Sequence, residues 1–230
     1  LTYSASGDLS GFVPRLQAPL LDEGGVPVAH DADRDAESLV AHHDFLYVGF
    51  ETNTRLARFR GIEGSAEPVV LPPDELATIP ACCGFSSVVF TARGELLALT
   101  ESARDPAGNV RGWLWTDEGP ESIRLRNARG WLPVDMALLP SGDLLMVEVR
   151  EGWFGTGWHS RFARISAAEI ESGRVMQAVI LGELHSRNHS DRVEGLHVRE
   201  GPNGEILVYT ISDSSVGWPT SILMFELLPD

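Results

Sequence analysis

The chain alternates between short apolar runs and polar turns, and one arrangement of these runs recurs about every 50 residues. Its clearest part is a turn, an apolar run and a single acid, as in Asp44-FLYVGF-Glu51 and Gly142-DLLMV-Glu148. A shorter apolar segment precedes this part, and a third and usually a fourth follow it after polar turns. Four short segments per unit are typical of a propeller blade. We therefore predict an all-β protein, a β-propeller of four-stranded antiparallel blades.

The repeat predicts a single propeller domain over residues 1–230. The units cover about residues 31–75, 82–127, 132–184 and 190–230, and residues 1–20 supply only two strands of a partial unit. In closed propellers the two chain ends commonly complete one blade, which removes exposed sheet edges. We therefore expect five or six blades in the intact protein, with part of its N-terminal blade lying before Leu1.

The formal net charge of −15 argues against binding partners that are themselves anionic. An acidic surface repels phosphate backbones and anionic lipids, so we expect no nucleic acid partner. The longest apolar runs are far shorter than the roughly 20 residues that cross a bilayer, so we also expect no membrane insertion. Cations, and small-molecule or ester ligands accompanied by cations, are the partners that this charge favours. The oligomeric state is left open.

The two cysteines, Cys82 and Cys83, are adjacent. Adjacent cysteines cannot cross-link distant segments, and their number and spacing do not suit a zinc site. Two interpretations stay open. The pair is either two semi-buried thiols in a loop, or a strained vicinal disulfide that would indicate an oxidising compartment.

Acidic residues recur at two positions of the repeat. One set lies on the first strands of the units and consists of Glu37, Asp135 and Glu194. The other set closes the second strands and consists of Glu51, Glu101, Glu148 and Asp213. Blade geometry brings both sets toward the central channel, where the carboxylates would repel one another unless protonated, paired or bound to a cation. Hard oxygen ligands of this kind suit Ca²⁺ or Mg²⁺, so we predict all seven as metal ligands.

Two other interpretations of these acids stay open. Acids at strand ends often accept hydrogen bonds from turn amides or pair with arginine. Four arginines lie nearby in the sequence, namely Arg55, Arg150, Arg161 and Arg192. Some of the acids could also face away from the channel.

One connection between a second and a third strand is unusually aromatic. Residues 152–159 read GWFGTGWH and contain Trp153, Phe154 and Trp158, and Trp218 occupies the equivalent connection one unit later. A loop of this composition is suited to contact a ligand at a channel mouth, so we predict these four aromatic residues as substrate-binding. Packing between blades is the alternative interpretation.

Several short motifs in a fixed order resemble one known family. The chain reads DAESL at residues 35–39, FET at 50–52, LPSGDLLMVE at 139–148, DRVEGL at 191–196 and ISDS at 211–214. These segments resemble the bacterial phytase-like, or "esterase-like activity of phytase", β-propeller family, whose members are mostly uncharacterised. The chain departs from the family pattern at Ser38, at Ser86 and after Asp213, where the family has a glycine, an acid and a second acid.

The resemblance and the predicted ring of acids imply a cation-assisted hydrolase of phosphate or carboxylic esters acting at an acidic central channel. In this interpretation Glu37 and Glu194 are the catalytic carboxylates. The sequence contains no nucleophile elbow, P-loop or zinc-protease motif, and it places few basic residues beside the acids, which argues against phytate itself. The alternative is a noncatalytic ligand- or protein-binding propeller of the cell envelope, and enzyme activity is left open. We expect a periplasmic or secreted location.

Overall fold

Antiparallel strands make up nearly all the regular structure of this computed structural model, which describes residues 17–152, 157–171, 173–185, 192–212 and 220–228. The first sheet contains β1 (Ala36–His42), β2 (Phe45–Phe50), β3 (Arg55–Arg60) and β4 (Ala66–Pro68). The second contains β5 (Phe85–Phe90), β6 (Leu96–Arg104), β7 (Val110–Thr116) and β8 (Gly119–Arg126). The third contains β9 (Leu132–Leu138), β10 (Leu144–Glu151), β11 (Trp158–Ile165) and β12 (Val175–His185). The last contains β13 (Val193–Glu200), β14 (Ile206–Ser212) and β15 (Ile222–Leu227).

Each sheet is a meander in which consecutive strands pair antiparallel, and the predicted fold class, an all-β propeller of four-stranded blades, is confirmed. We call the four sheets blades 1 to 4. The outer strands β8 and β12 also pair in parallel over three residues, which joins blades 2 and 3 along their outer edges. Helical structure among the described residues is limited to α1 (Pro73–Leu76) and 3-10 turns at Asp31–Asp33 and Ala167–Glu169. None of the described helices is long and apolar enough to cross a bilayer.

The first strand of each blade lies toward a common axis. Strand β1 packs against β5, β5 against β9, and β9 against β13. The hydrophobic core fills the spaces between neighbouring blades, with Phe85 and Trp113 between blades 1 and 2, Leu97 and Leu144 between blades 2 and 3, and Val208 in the space between blades 3 and 4. Second strands therefore carry nearly continuous apolar runs, because both faces of each sheet are covered.

Every inner strand contains a β-bulge near its start. In blade 1, Ala36 pairs with Phe50 and Ser38 with Gly49, so Glu37 is the extra residue. The same break in register makes Ser86, Val134 and Glu194 the extra residues of the other three blades. A bulge bends its strand and redirects the extra side chain, so these four positions are structurally equivalent. In blade 3 the equivalent of Glu37 is therefore Val134, one residue before Asp135.

Candidate functional site

Three carboxylates from blade 1 lie together where β1 begins and β2 ends. Oxygen atoms of Asp35, Glu37 and Glu51 all lie within 4.8 Å of one another, and the three side chains are half-buried. The bulge directs Glu37 into this group, while the backbone N–H of Glu51 donates to the carbonyl oxygen of Asp35 at 3.0 Å. The hydroxyl of Thr52 donates to the Asp35 carboxylate. Local pairing of two strand ends thus builds the group, which we call the acid group.

Burial and the crowding of negative charge raise the pKa values of Glu37 and Glu51. The pKa of Glu37 rises to about 7, first because burial disfavours the charged form, and then because Glu51, Asp35 and Glu101 are negative. The pKa of Glu51 is also raised by burial and by the charges of Glu101 and Asp35. Arg192 opposes both shifts. A divalent cation would relieve this repulsion, and an all-carboxylate donor set fits a hard cation.

Arg192 is the arginine whose charge acts on the acid group. It precedes β13 in blade 4 and reaches Glu101 of blade 2 at a distance of 2.6 Å between guanidinium nitrogen and carboxylate oxygen. It also pairs with Glu194 in its own blade, and its guanidinium lies 4.7 Å from the centre of the Trp158 ring in blade 3. Two of the predicted metal ligands, Glu101 and Glu194, therefore already share one arginine, which links three blades.

The two acids of blade 3 do not join the acid group. Glu148 is 1% exposed and accepts from Arg161 at 2.6 Å, and although burial raises its pKa, Arg161 opposes that shift. Asp135 accepts from the backbone N–H groups of Leu196 at 2.7 Å and Met136 at 2.8 Å. Burial raises the pKa of Asp135 to about 8 in spite of those two donors. Asp135 thus joins blade 3 to blade 4, whereas Glu148 is paired within blade 3.

A one-residue difference in register explains this outcome. The residue just before the bulge pairs with Phe50 in blade 1 and with Thr100 in blade 2, each one position before the repeated acid. In blade 3 the residue just before the bulge, Pro133, pairs with the acid Glu148 itself. Because side chains alternate between faces, a shift of one residue sends the side chain to the opposite face of the sheet. Glu148 therefore lies in the interface with blade 2, and fully buried Val149 occupies the position of Glu51 and Glu101.

Three arginines cluster around Trp131, which directly precedes β9. The guanidinium groups of Arg150 and Arg161 lie 4.6 and 4.1 Å from the centre of the Trp131 ring. Arg104 donates to the carbonyl oxygen of Trp131 at 2.9 Å, and burial lowers its pKa. Sequence reasoning missed this cluster because its members come from β6, β9, β10 and β11. It brings more positive charge to the strand ends than the sequence alone indicates.

The predicted aromatic ligand contacts are only partly within the described residues. Trp158 begins β11, is half-buried and stacks with Arg192. Trp153, Phe154 and Trp218 lie outside the described residues, as does Asp213 of the predicted metal ligands. Asp35 is the one member of the acid group that sequence reasoning missed as a ligand. Its spacing of two residues from Glu37 was the available signal, since residues at that spacing share a strand face.

The fold and the acid group define the class of this protein as a β-propeller with clustered carboxylates at one end of its inner strands. The family model described as "Phytase-like: Esterase-like activity of phytase" matches residues 1–214, and the chain belongs to that family. The predicted family resemblance is thus confirmed. Among curated proteins, none is similar enough in sequence to count as a match.

One solved structure with a TM-score of 0.50 supports the fold, and a second is similar at a lower score. An endo-arabinase from Bacteroides thetaiotaomicron is 13% identical with a TM-score of 0.50, over 84% of this chain and 74% of the arabinase. An alpha-L-arabinanase from Cellvibrio cellulosa is 10% identical with a TM-score of 0.48, over 84% of this chain and 73% of the arabinanase. At these identities the similarity concerns the fold, and the functional argument depends on the residues of the site.

Proposed function

We propose that this protein is a cation-assisted hydrolase of phosphate or carboxylic esters, with Ca²⁺ or Mg²⁺ held by Asp35, Glu37 and Glu51. The observation that carries the proposal is the approach of three carboxylates within 4.8 Å of one another, because a bound cation would offset the repulsion between them. Membership in the phytase-like family supports a hydrolytic reaction.

In this proposal the residues of the acid group have different roles. A bound cation would polarise an ester oxygen and lower the pKa of water. The backbones of Asp35 and Glu51 are joined at the paired strand ends and Thr52 donates to the Asp35 carboxylate, so both acids would offer oxygens to a cation. Glu37 would complete the donor set, and a bound cation would offset the charges of Glu51 and Asp35 that, after burial, raise the pKa of Glu37 to about 7.

The charge of Arg192 acts on Glu37 and Glu51, but Glu101 and Glu194 share it, so the bound cation would supply most of the positive charge for an anionic ester. The guanidinium of Arg192 is fixed by Glu101 and Glu194, so it does not need to be ordered when a ligand binds. Glu194, which the sequence predicts as a second catalytic carboxylate, acts in this proposal as the positioning residue for Arg192. The proposed location remains the periplasm or the cell exterior.

A turnover assay with matched variants tests the proposal. Hydrolysis of p-nitrophenyl phosphate and p-nitrophenyl acetate is measured with Ca²⁺, with Mg²⁺ and with EDTA. We expect chelator-sensitive turnover that Glu37→Gln and Glu51→Gln abolish. Glu67→Gln, which alters an exposed acid of the same blade paired with Arg58, should leave turnover unchanged.

Two results would contradict the proposal in different ways. Cation binding without turnover of any ester would keep the site and remove the hydrolase, leaving the noncatalytic binding propeller. Absence of calorimetric binding of both cations would remove the site itself. Turnover that EDTA does not change would show that the reaction does not use a cation.

A further inference from the structure

Cys82 and Cys83 lie in the turn that enters β5, beside the acid group. The backbone N–H of Cys83 donates to the carbonyl oxygen of Pro80 at 3.0 Å, which closes the turn. The Cys82 side chain is exposed, whereas Cys83 is 5% exposed and packs in the core between blades 1 and 2. Their sulfur atoms are 2.9 Å apart. Two thiols in contact, one open to solvent and one buried, form a reactive pair.

We infer that Cys82 and Cys83 are a covalent modification site, a vicinal dithiol that closes to a disulfide by exchange with a small-molecule disulfide. The Cys82 thiolate attacks the small disulfide, forms a mixed disulfide and releases one thiol. Cys83 then loses its proton and attacks the sulfur of Cys82, which releases the second thiol. The protein loses two electrons and two protons, and the small disulfide gains them as two thiols.

The surroundings assign different roles to the two sulfurs. Cys82 is the only one that solvent reaches freely, so it is the point of attack. Cys83 stays a thiol until the mixed disulfide forms, because burial, together with its contact with Cys82, raises its pKa to about 11. The Ser102 hydroxyl donates to the sulfur of Cys83 at 2.9 Å, which holds that sulfur beside Cys82.

The oxidised ring is expected to be reversible. Adjacent Cα atoms are about 3.8 Å apart, whereas the Cα atoms of disulfide-bonded cysteines are usually about 4.4–6.8 Å apart. A ring between neighbours is therefore strained, and strained disulfides are reduced more readily by thiols. We expect ring closure to change the conformation of the Cys82–Cys83 peptide and to shift the residue that follows.

That next residue, Gly84, touches the acid group. A Cβ on Gly84 would overlap the carbonyl oxygen of Phe50 and the backbone of Glu51, so these two segments of the chain approach closely at this point. The carbonyl oxygen of Gly84 also accepts from the backbone N–H of Glu101 at 3.0 Å. Oxidation of the pair is therefore expected to move Glu51 and to change the cation affinity of the acid group. This last step rests on the proposed function.

Thiol counting and intact mass test the modification on the full chain. Reduced protein is treated with oxidised glutathione, and we expect both thiols to disappear with a mass loss of two hydrogen atoms. Cys83→Ser should stop at a glutathione adduct on Cys82, and Cys82→Ser should react far more slowly because its remaining thiol is buried. Two thiols that still titrate in the native protein, or a glutathione adduct that never resolves, would overturn the inference.

The coupling to the acid group is measured separately. Ca²⁺ affinity is determined by calorimetry on reduced and oxidised protein, and we expect a change of about fivefold or more that dithiothreitol reverses. Equal affinities in the two forms would overturn the coupling while leaving the modification intact. Absence of Ca²⁺ binding in both forms would count against the proposed cation site and the coupling, whereas the thiol result stands on its own readout.

Discussion

Asp135 gives the sharpest test of the electrostatics in this propeller. Its carboxyl group is 9% exposed between β9 and β13, and burial raises its pKa to about 8. The substitution Asp135→Asn keeps an oxygen for the Leu196 N–H and removes the ionisation. It costs one of the two backbone hydrogen bonds, which adds a destabilisation of about 1 kcal/mol that does not vary with pH.

The sign of the pH effect follows from the direction of the shift. The folded-state pKa lies above the unfolded value, so the folded protein binds more protons between about pH 4 and pH 8. The free energy of unfolding therefore falls as pH rises through this window. One proton corresponds to about 1.4 kcal/mol per pH unit, so the wild-type protein should lose about 2–3 kcal/mol relative to Asp135→Asn between pH 5 and 7.

Urea unfolding followed by tryptophan fluorescence at pH 5, 6, 7 and 8 measures this difference, since the chain has six tryptophans. Comparing the two proteins cancels the contribution of Glu37, which titrates in the same window. Asp143→Asn is the matched control, because the pKa of Asp143 is lowered. Burial alone would raise this pKa, but the hydrogen bond from the Ala167 N–H and the interaction with Arg164 lower it by more. That variant should show no change in slope above pH 5. Parallel curves for wild type and Asp135→Asn would refute the reasoning.

Three further predictions concern packing, close approach and the cation. Glu148→Gln leaves Arg161 buried without its counter-charge and should lower the free energy of unfolding by about 3–5 kcal/mol in urea titrations; a loss below about 1 kcal/mol would contradict it. Gly84→Ala places a Cβ against the backbone of blade 1 and should lower the free energy of unfolding by about 1–3 kcal/mol. Gly182→Ala is the control, because a Cβ there meets open space, and equal Tm values for the two variants would refute the prediction. Ca²⁺ at about 100 times its Kd should raise the free energy of unfolding by about 2.7 kcal/mol, reversibly with EDTA, and an unchanged Tm would contradict cation binding.

The blades could be predicted from the sequence because their signal is local. Each second strand is an apolar run between a turn and an acid, and burial on both faces leaves that run without alternation. The repeat then gives the order of the blades, since consecutive units must pack side by side. Glu37 and Glu51 could also be predicted, because Glu37 lies at the start of the first apolar segment of blade 1 and Glu51 at the end of the second.

The register of blade 3 could not be predicted in the same way. Asp135 lies at the same interval from Ser86 as Ser86 lies from Glu37, so an alignment by spacing treats the three as equivalent. The bulge is defined by which residues exchange hydrogen bonds across two strands, and sequence spacing does not record it. The pairs of Arg192 with Glu101 and of Leu196 with Asp135 join different blades, so they too depend on how the blades pack against one another.

The distribution of arginines singles out blade 1 as the place where negative charge is least compensated. In blade 2, Glu101 has Arg192; in blade 3, Glu148 has Arg161; in blade 4, Glu194 shares Arg192. Arg55 is the arginine nearest to Glu51 in sequence, yet it donates to the carbonyl oxygen of Asp33 and lies 3.7 Å from the centre of the Phe50 ring.

Within the described part of the chain, no arginine forms an ion pair with Glu37 or Glu51, and the only positive group that acts on both is Arg192, already bound by two other carboxylates. Three carboxylates of blade 1 thus lie close together without an arginine of their own, and the proposed function predicts that a cation offsets their charge. If Glu37→Gln raises stability in EDTA and removes the stabilisation by Ca²⁺, the acid group is the cation site. If it lowers stability in EDTA, the acids support the fold instead.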